Sequence, residues 1–189
     1  MNIFVLCAGR CGSVSLYKIC KHIKNYTSSH ESREKLDFSY PKNHIEIDNR
    51  LCWFLGRLDE KYGDNAIYIH LKRDKNKIAE SYSKRFYYKR GISMAYKYNL
   101  LRTSQRIEKN DVDICKDMIE TIESNICLFL KDKTKTLEIN LEKFKDDIPR
   151  FWNYINASGN LKVALKELEV KHNPTKKSII KKLKNYLYK

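Results

Sequence analysis

The sequence predicts an α/β fold: a three-layer arrangement with a mainly parallel central sheet of 4–5 strands flanked by helices. Three observations carry this. The apolar run Ile3-Phe4-Val5-Leu6-Cys7-Ala8 passes through the glycine turn Gly9-Arg10-Cys11-Gly12-Ser13 into the helical pattern Leu16, Ile19, Cys20, Ile23. A second apolar run, Ala66-Ile67-Tyr68-Ile69-His70-Leu71, ends at Lys72-Arg73-Asp74 and is again followed by a helical pattern. Strand and helix signals then keep alternating to the end of the chain, the order that buries a parallel sheet on both faces.

In order along the chain, the first strand is expected over residues 2–8 and a helix over 13–25. Residues 26–43 are polar and read as an irregular loop, long enough to be functional. His44-Ile45-Glu46-Ile47 is a short strand, and Leu51, Phe54, Leu55 and Leu58 repeat with helical spacing. Gly63-Asp64-Asn65 turns the chain into the strand at 66–71, and a helix follows through Ile78, Ser81, Tyr82 and Phe86 until Gly91 breaks it. Residues 92–131 read as largely helical with a polar interruption near Lys109-Asn110-Asp111. Thr136-Leu137-Glu138-Ile139-Asn140-Leu141 is a strand, and Phe151, Trp152, Tyr154 and Ile155 lie on a helix closed by Ser158-Gly159. From about residue 178, Ile179, Ile180, Leu183, Tyr186 and Leu187 among lysines form an amphipathic, basic helix. The 189 residues are expected to form one domain.

Composition narrows the function classes. No apolar run reaches the length of a membrane span, and the apolar N-terminal stretch is short and lacks a preceding basic region, so a cytoplasmic protein is expected. The six cysteines include no C-x-x-C pair and no neighbouring histidine cluster, which argues against a metal site and for small core residues in a reducing compartment. A net charge of +15 disfavours a cationic substrate and favours an anionic one: a nucleotide, an acidic acceptor or a nucleic acid.

The glycine turn between strand and helix is the first candidate site, because backbone N–H groups at such a turn face an anion. It is not a nucleoside-triphosphate loop. Only Arg10 and Cys11 separate Gly9 from Gly12, no lysine follows, and no pair of carboxylates suggests a magnesium ion. The second candidate is Arg73 at a strand end with Ser81 eight residues later, two turns into the next helix. Both motifs sit at carboxyl ends of strands, where ligands bind in such sheets.

Together these motifs resemble the sulfotransferase family that uses 3′-phosphoadenosine 5′-phosphosulfate (PAPS). Gly9-Arg10-Cys11-Gly12-Ser13-Val14-Ser15-Leu16 is similar to that family's 5′-phosphosulfate loop, Arg73 with Ser81 to its 3′-phosphate motif, and Leu137-Glu138-Ile139-Asn140-Leu141-Glu142-Lys143-Phe144 to its late strand. The specific matches rest on about a dozen positions, spread over most of the chain. Val14 stands where a hydroxyl residue usually helps bind phosphate; Lys75 and Cys11 replace the usual proline and serine.

The resemblance implies a P-loop-like sulfotransferase fold, PAPS as sulfuryl donor and no metal. Arg10 with the amides of Gly12, Ser13 and Val14 would hold the 5′-phosphosulfate, in a loop that also includes Gly9, Cys11 and Ser15, and Arg73 with Ser81 would clamp the 3′-phosphate. The loop spacing is closest to tyrosylprotein-type members, whose base is a glutamate about 21 residues after the loop arginine; that offset lands on Glu31, with Arg33 matching an acceptor-binding arginine. His30 and then His44 are the next candidates for the base. Arg50 is the nearest residue to the family's sulfuryl-binding lysine, and residues 171–177, including Lys176, match the late loop that covers the donor. Tyr87, Tyr88, Tyr96 and Tyr98 are candidates to stack on adenine or on an acceptor ring.

The expected activity is in-line transfer of a sulfuryl group to an acceptor hydroxyl; protein tyrosine, glycan, lipid and small-molecule hydroxyls all fit, and an acidic acceptor suits the charge. The alternative is a non-catalytic anion or nucleic-acid binder on the same scaffold, motivated by the cations at Lys72, Arg73, Lys75, Lys77, Lys84, Arg85, Lys89 and Arg90.

Overall fold

A computed structural model describes residues 1–33, 37–86, 91–102 and 110–170. Its centre is a five-stranded, wholly parallel sheet in the order β2-β3-β1-β4-β5. The strands are β1 (Asn2–Leu6), β2 (Thr27–His30), β3 (His44–Ile47), β4 (Ala66–Lys72) and β5 (Thr136–Asn140). The helices among the described residues are α1 (Ser13–Cys20), α2 (Leu55–Tyr62), α3 (Lys75–Ser83), α4 (Ile92–Ala95), α5 (Asp111–Leu130), α6 (Phe144–Tyr154) and α7 (Leu161–Leu165).

β1 lies in the middle, and all five of its residues are buried. Its neighbours pair in register, Ile3 with Ile45 on β3 and Leu6 with His70 on β4. Burial on both faces explains why β1 and β4 read as unbroken apolar runs. The chain crosses from β1 through α1 to β2 on one side and from β4 through α3 and α5 to β5 on the other. Right-handed crossovers in opposite directions place α1 and α5 on opposite faces of the sheet. α1 packs with α7, and α3 with α5. The chain moves to one side of the sheet after β1 and to the other after β3, and in such sheets ligands bind outside the carboxyl ends of the strands at that switch.

The structure departs from the sequence expectation in three places. Residues 27–30 form a strand, not a loop: Thr27-Ser28-Ser29-His30 is the edge of the sheet, pairing Thr27 with His44 and His30 with Ile47. An edge strand that is polar has no apolar alternation to reveal it. α1 stops at Cys20, five residues short of the expected end, because the chain turns there and Ile23 bridges to Gly159. The largely helical stretch expected over 92–131 starts with a short α4 followed by a π-helical turn (Tyr96–Leu100), whereas the interruption expected near Lys109-Asn110-Asp111 falls where α5 begins, at an Asn110 cap whose side chain accepts from the Asp113 N–H. The basic helix expected from residue 178, the 171–177 loop with Lys176, and Tyr87 and Tyr88 lie outside the described residues. Among the described residues no helix is long and apolar enough to cross a membrane.

Candidate functional site

The site grows from the loop between β1 and α1. Gly9, Arg10 and Gly12 all have left-handed backbone conformations, with φ of 77°, 57° and 89°. Glycine is needed at both its positions for space as well as for φ. A Cβ on Gly9 would stand 2.2 Å from the Tyr82 hydroxyl, and one on Gly12 would stand 2.5 Å from Cδ1 of Leu141. The loop is closed from below: the Tyr82 hydroxyl donates to the Ala8 carbonyl (2.8 Å) and the Cys11 thiol to the Gly9 carbonyl (3.1 Å). A side-chain hydrogen bond with Cys7, and then burial, raise the Cys11 thiol well above its ordinary value, so this cysteine stays neutral.

The loop delivers the chain to the N-terminus of α1 at Gly12, where no side chain caps the helix and no acidic residue stands in the first turn. Uncapped first-turn amides and the positive end of the helix form a place for an anion.

Around this turn stand three guanidinium groups. Arg73 donates through one terminal nitrogen to the Arg10 carbonyl (2.8 Å), and the Arg10 Nε donates to the Ser81 hydroxyl (2.9 Å). The two motifs that the sequence places 63 and 71 residues apart thus meet directly. Burial, then the nearby charges of Arg85 and Arg73, lower the Arg10 pKa from its ordinary value. Mutual repulsion of this kind is relieved by a bound anion. The Nε of Arg73 is buried without a hydrogen-bond partner among the described residues; the nearest carboxylate is Glu142, 3.9 Å away, which also pairs with Lys77 at 3.4 Å. Asp74, beside Arg73, caps α3 by accepting from the Lys77 N–H, which fixes where the strand ends and the arginine begins.

The opposite wall comes from the ends of β2 and β3. His30 shares a hydrogen bond with the Ser13 hydroxyl at 3.0 Å, with its ring beside Tyr17. Glu31 takes a left-handed conformation (φ 52°), donates its N–H to the Ile47 carbonyl, and accepts from the side-chain amide of Asn49 at 2.5 Å. The two candidate bases therefore face different partners, one the start of α1 and the other the end of β3.

Arg50 is gripped by the buried Asp48 through Nε and a terminal nitrogen (2.7–3.1 Å), and that bond raises its pKa. Arg33 lies with its guanidinium carbon 4.3 Å from the rings of both Phe38 and Phe54. His44 is buried, with Nδ1 on Thr27 (2.8 Å) and Nε2 on Glu46 (3.2 Å), so both its nitrogens are engaged between β2 and β3 and not at the loop. Val14 and Ser15 are half-buried in the first turn of α1.

Three contributors were not singled out from the sequence as site residues. Tyr82 and Asn49 carry no motif. Arg85 stands in the sequence only as one of a run of cations; the structure places it in the turn just beyond the end of α3 at Ser83.

No group of three or more metal-ligating side chains occurs among the described residues. The arrangement brings guanidinium groups, hydroxyls and amides together around one loop, a candidate site for an anion.

No family model matches the sequence, and no curated protein matches it. Among solved structures the chain is similar to a sulfotransferase from Alicyclobacillus acidocaldarius, with a TM-score of 0.53 over 98% of this chain and 90% of that one at 12% identity. It also overlaps the YorR protein of Bacillus subtilis, solved in complex with phosphorylated GDP, with a TM-score of 0.45, 16% identity and coverage of 82% and 95%. The first likeness shows that the chain has a sulfotransferase-like α/β fold.

Proposed function

We propose that the protein is a PAPS-dependent sulfotransferase. The observation that carries this reading is the junction of the two motifs: Arg73 on the Arg10 carbonyl, Arg10 on the Ser81 hydroxyl, and Arg85 close by, all beside uncapped helix amides. A nucleotide carrying phosphate at both its 3′ and 5′ positions fits such a set. The unpartnered Nε of Arg73 and the hydroxyl of Ser81 offer donors to the 3′-phosphate, and Arg10 with the amides of Gly12, Ser13 and Val14 to the 5′ group. Val14 loses no backbone donor by lacking a hydroxyl, so the loop retains its amides.

PAPS, when bound, supplies the sulfuryl group and a phosphate as leaving group. Glu31, with His30 as the second candidate, takes the proton of the acceptor hydroxyl. Arg10 and the loop amides meet the negative charge that develops on the departing phosphate, and Arg73 and Arg85 hold the nucleotide in line. No carboxylate pair for magnesium is needed, because the arginines supply the compensating charge.

The test is a thermal-shift titration with adenosine 3′,5′-bisphosphate, followed by release of that product from PAPS in the presence of hydroxyl acceptors. Saturation at about 100 times Kd stabilises the folded protein by about 2.7 kcal/mol, which raises Tm by several degrees. Binding without turnover would favour the non-catalytic anion binder, and absence of both a shift and turnover would sink the proposal.

A further inference from the structure

We infer that Asn49 is a positioning residue for the transfer reaction: its side-chain amide holds the carboxylate of Glu31 in one orientation beside the glycine loop. This rests on the reading of the site as a sulfuryl-transfer centre with Glu31 as base.

The backbone of Asn49 is fixed from both sides. Asp48 before it is extended and accepts from the Arg50 N–H (2.8 Å), opening the 3₁₀ turn Asn49–Trp53, and the Cys52 thiol donates to the Asn49 carbonyl (2.8 Å). From that position the side chain reaches two things. Its Nδ2 donates to Oε1 of Glu31 at 2.5 Å, and its Cγ stands 3.4 Å from the point where Gly9 would carry a Cβ. One amide thus bonds the candidate base and stands close beside the first residue of the loop.

Glu31 needs such a tether. Its backbone is held, with the N–H on Ile47 and the following Ser32 bound through both N–H and hydroxyl to Glu46. Its side chain is exposed and otherwise has the rotamer freedom of a surface glutamate. A donor on Oε1 selects one orientation of the carboxylate and leaves Oε2 to receive a proton. A neutral amide suits this work: it donates without contributing a charge of its own. Arg50, on the same turn as Asn49, feels the charges of Glu31, Asp48 and Glu46.

The experiment compares wild type, Asn49→Ala, Asn49→Asp and Glu31→Gln for three readouts: binding of adenosine 3′,5′-bisphosphate, PAPS turnover to that product with water as acceptor, and the pH profile of kcat. The expected results are bisphosphate Kd within about threefold of wild type in every variant, and a fall of about tenfold or more in kcat for Asn49→Ala with little change in KM. In Asn49→Asp the acid limb of the profile moves up by about one pH unit, because a second carboxylate disfavours the ionised base. If Asn49→Asp lowers kcat equally at every pH, or leaves it unchanged, the positioning role is overturned while the sulfotransferase reading stands. If wild type neither binds the bisphosphate nor turns over PAPS, the reading of the site is overturned and the role of Asn49 with it.

Discussion

Arg73 is where residue-level chemistry is most exposed to test, because its buried Nε makes no hydrogen bond among the described residues while its terminal nitrogen has a fixed partner. Arg73→Ala is expected to weaken bisphosphate binding by about 2–3 kcal/mol, the range for charge-assisted hydrogen bonds, and so to raise Kd by roughly 30- to 150-fold in a calorimetric titration. Gly9 offers a packing test. Gly9→Ala must place its Cβ against the Tyr82 hydroxyl and accept a strained φ, so a loss of about 1–3 kcal/mol in chemical denaturation is expected. Adding Tyr82→Phe removes the clashing oxygen, and the double variant should be less destabilised than the sum of the two single ones; simple additivity would contradict the contact. Arg10, Arg73 and Ser81 were legible in the sequence because motif spacing reports on strand ends and helix turns. Asn49 and Tyr82 were not, since each acts through contacts with residues 18 and 74 positions away.

At the scale of elements, β2 and β3 decide where the candidate bases stand. Glu46 is fully buried on β3 and receives bonds from His44 and from the N–H and hydroxyl of Ser32. Burial alone would raise its pKa, but these bonds outweigh burial and the net shift is downward. A carboxylate with a folded pKa below its unfolded one stabilises the protein above the ordinary carboxylate range, and that contribution is lost as pH falls through the folded value. Glu46→Gln should therefore lower Tm at neutral pH and flatten its decline below about pH 4.5, measured as Tm against pH beside wild type. A parallel decline in the two proteins would show that Glu46 is not the group responsible. The sequence made β1, β3, β4 and β5 legible through their apolar content. It hid β2, whose Thr27-Ser28-Ser29-His30 gains its strand geometry only from pairing with β3.

The whole molecule carries a net charge of +15, and the candidate anion site sits at the carboxyl edge of a parallel sheet. A field of that sign steers anions inward and is screened by salt, so bisphosphate association is expected to slow several-fold between about 50 and 200 mM salt, measured by stopped flow. The fold class was readable from strand and helix alternation. The polar interruption near Asn110 was readable as well, and α5 starts there; the π-helical turn at Tyr96–Leu100 was not, because the apolar residues around it keep helical spacing.

The central claim is a clamp for two phosphates, and the direct measurement is calorimetric Kd for adenosine 3′,5′-bisphosphate against adenosine 5′-monophosphate, in wild type and in Arg73→Ala. The bisphosphate is expected to bind wild type at least about 30-fold more tightly, and Arg73→Ala to remove most of this difference while leaving the monophosphate nearly unaffected. Equal affinities for the two nucleotides in wild type, or a preference that survives Arg73→Ala, would contradict the clamp.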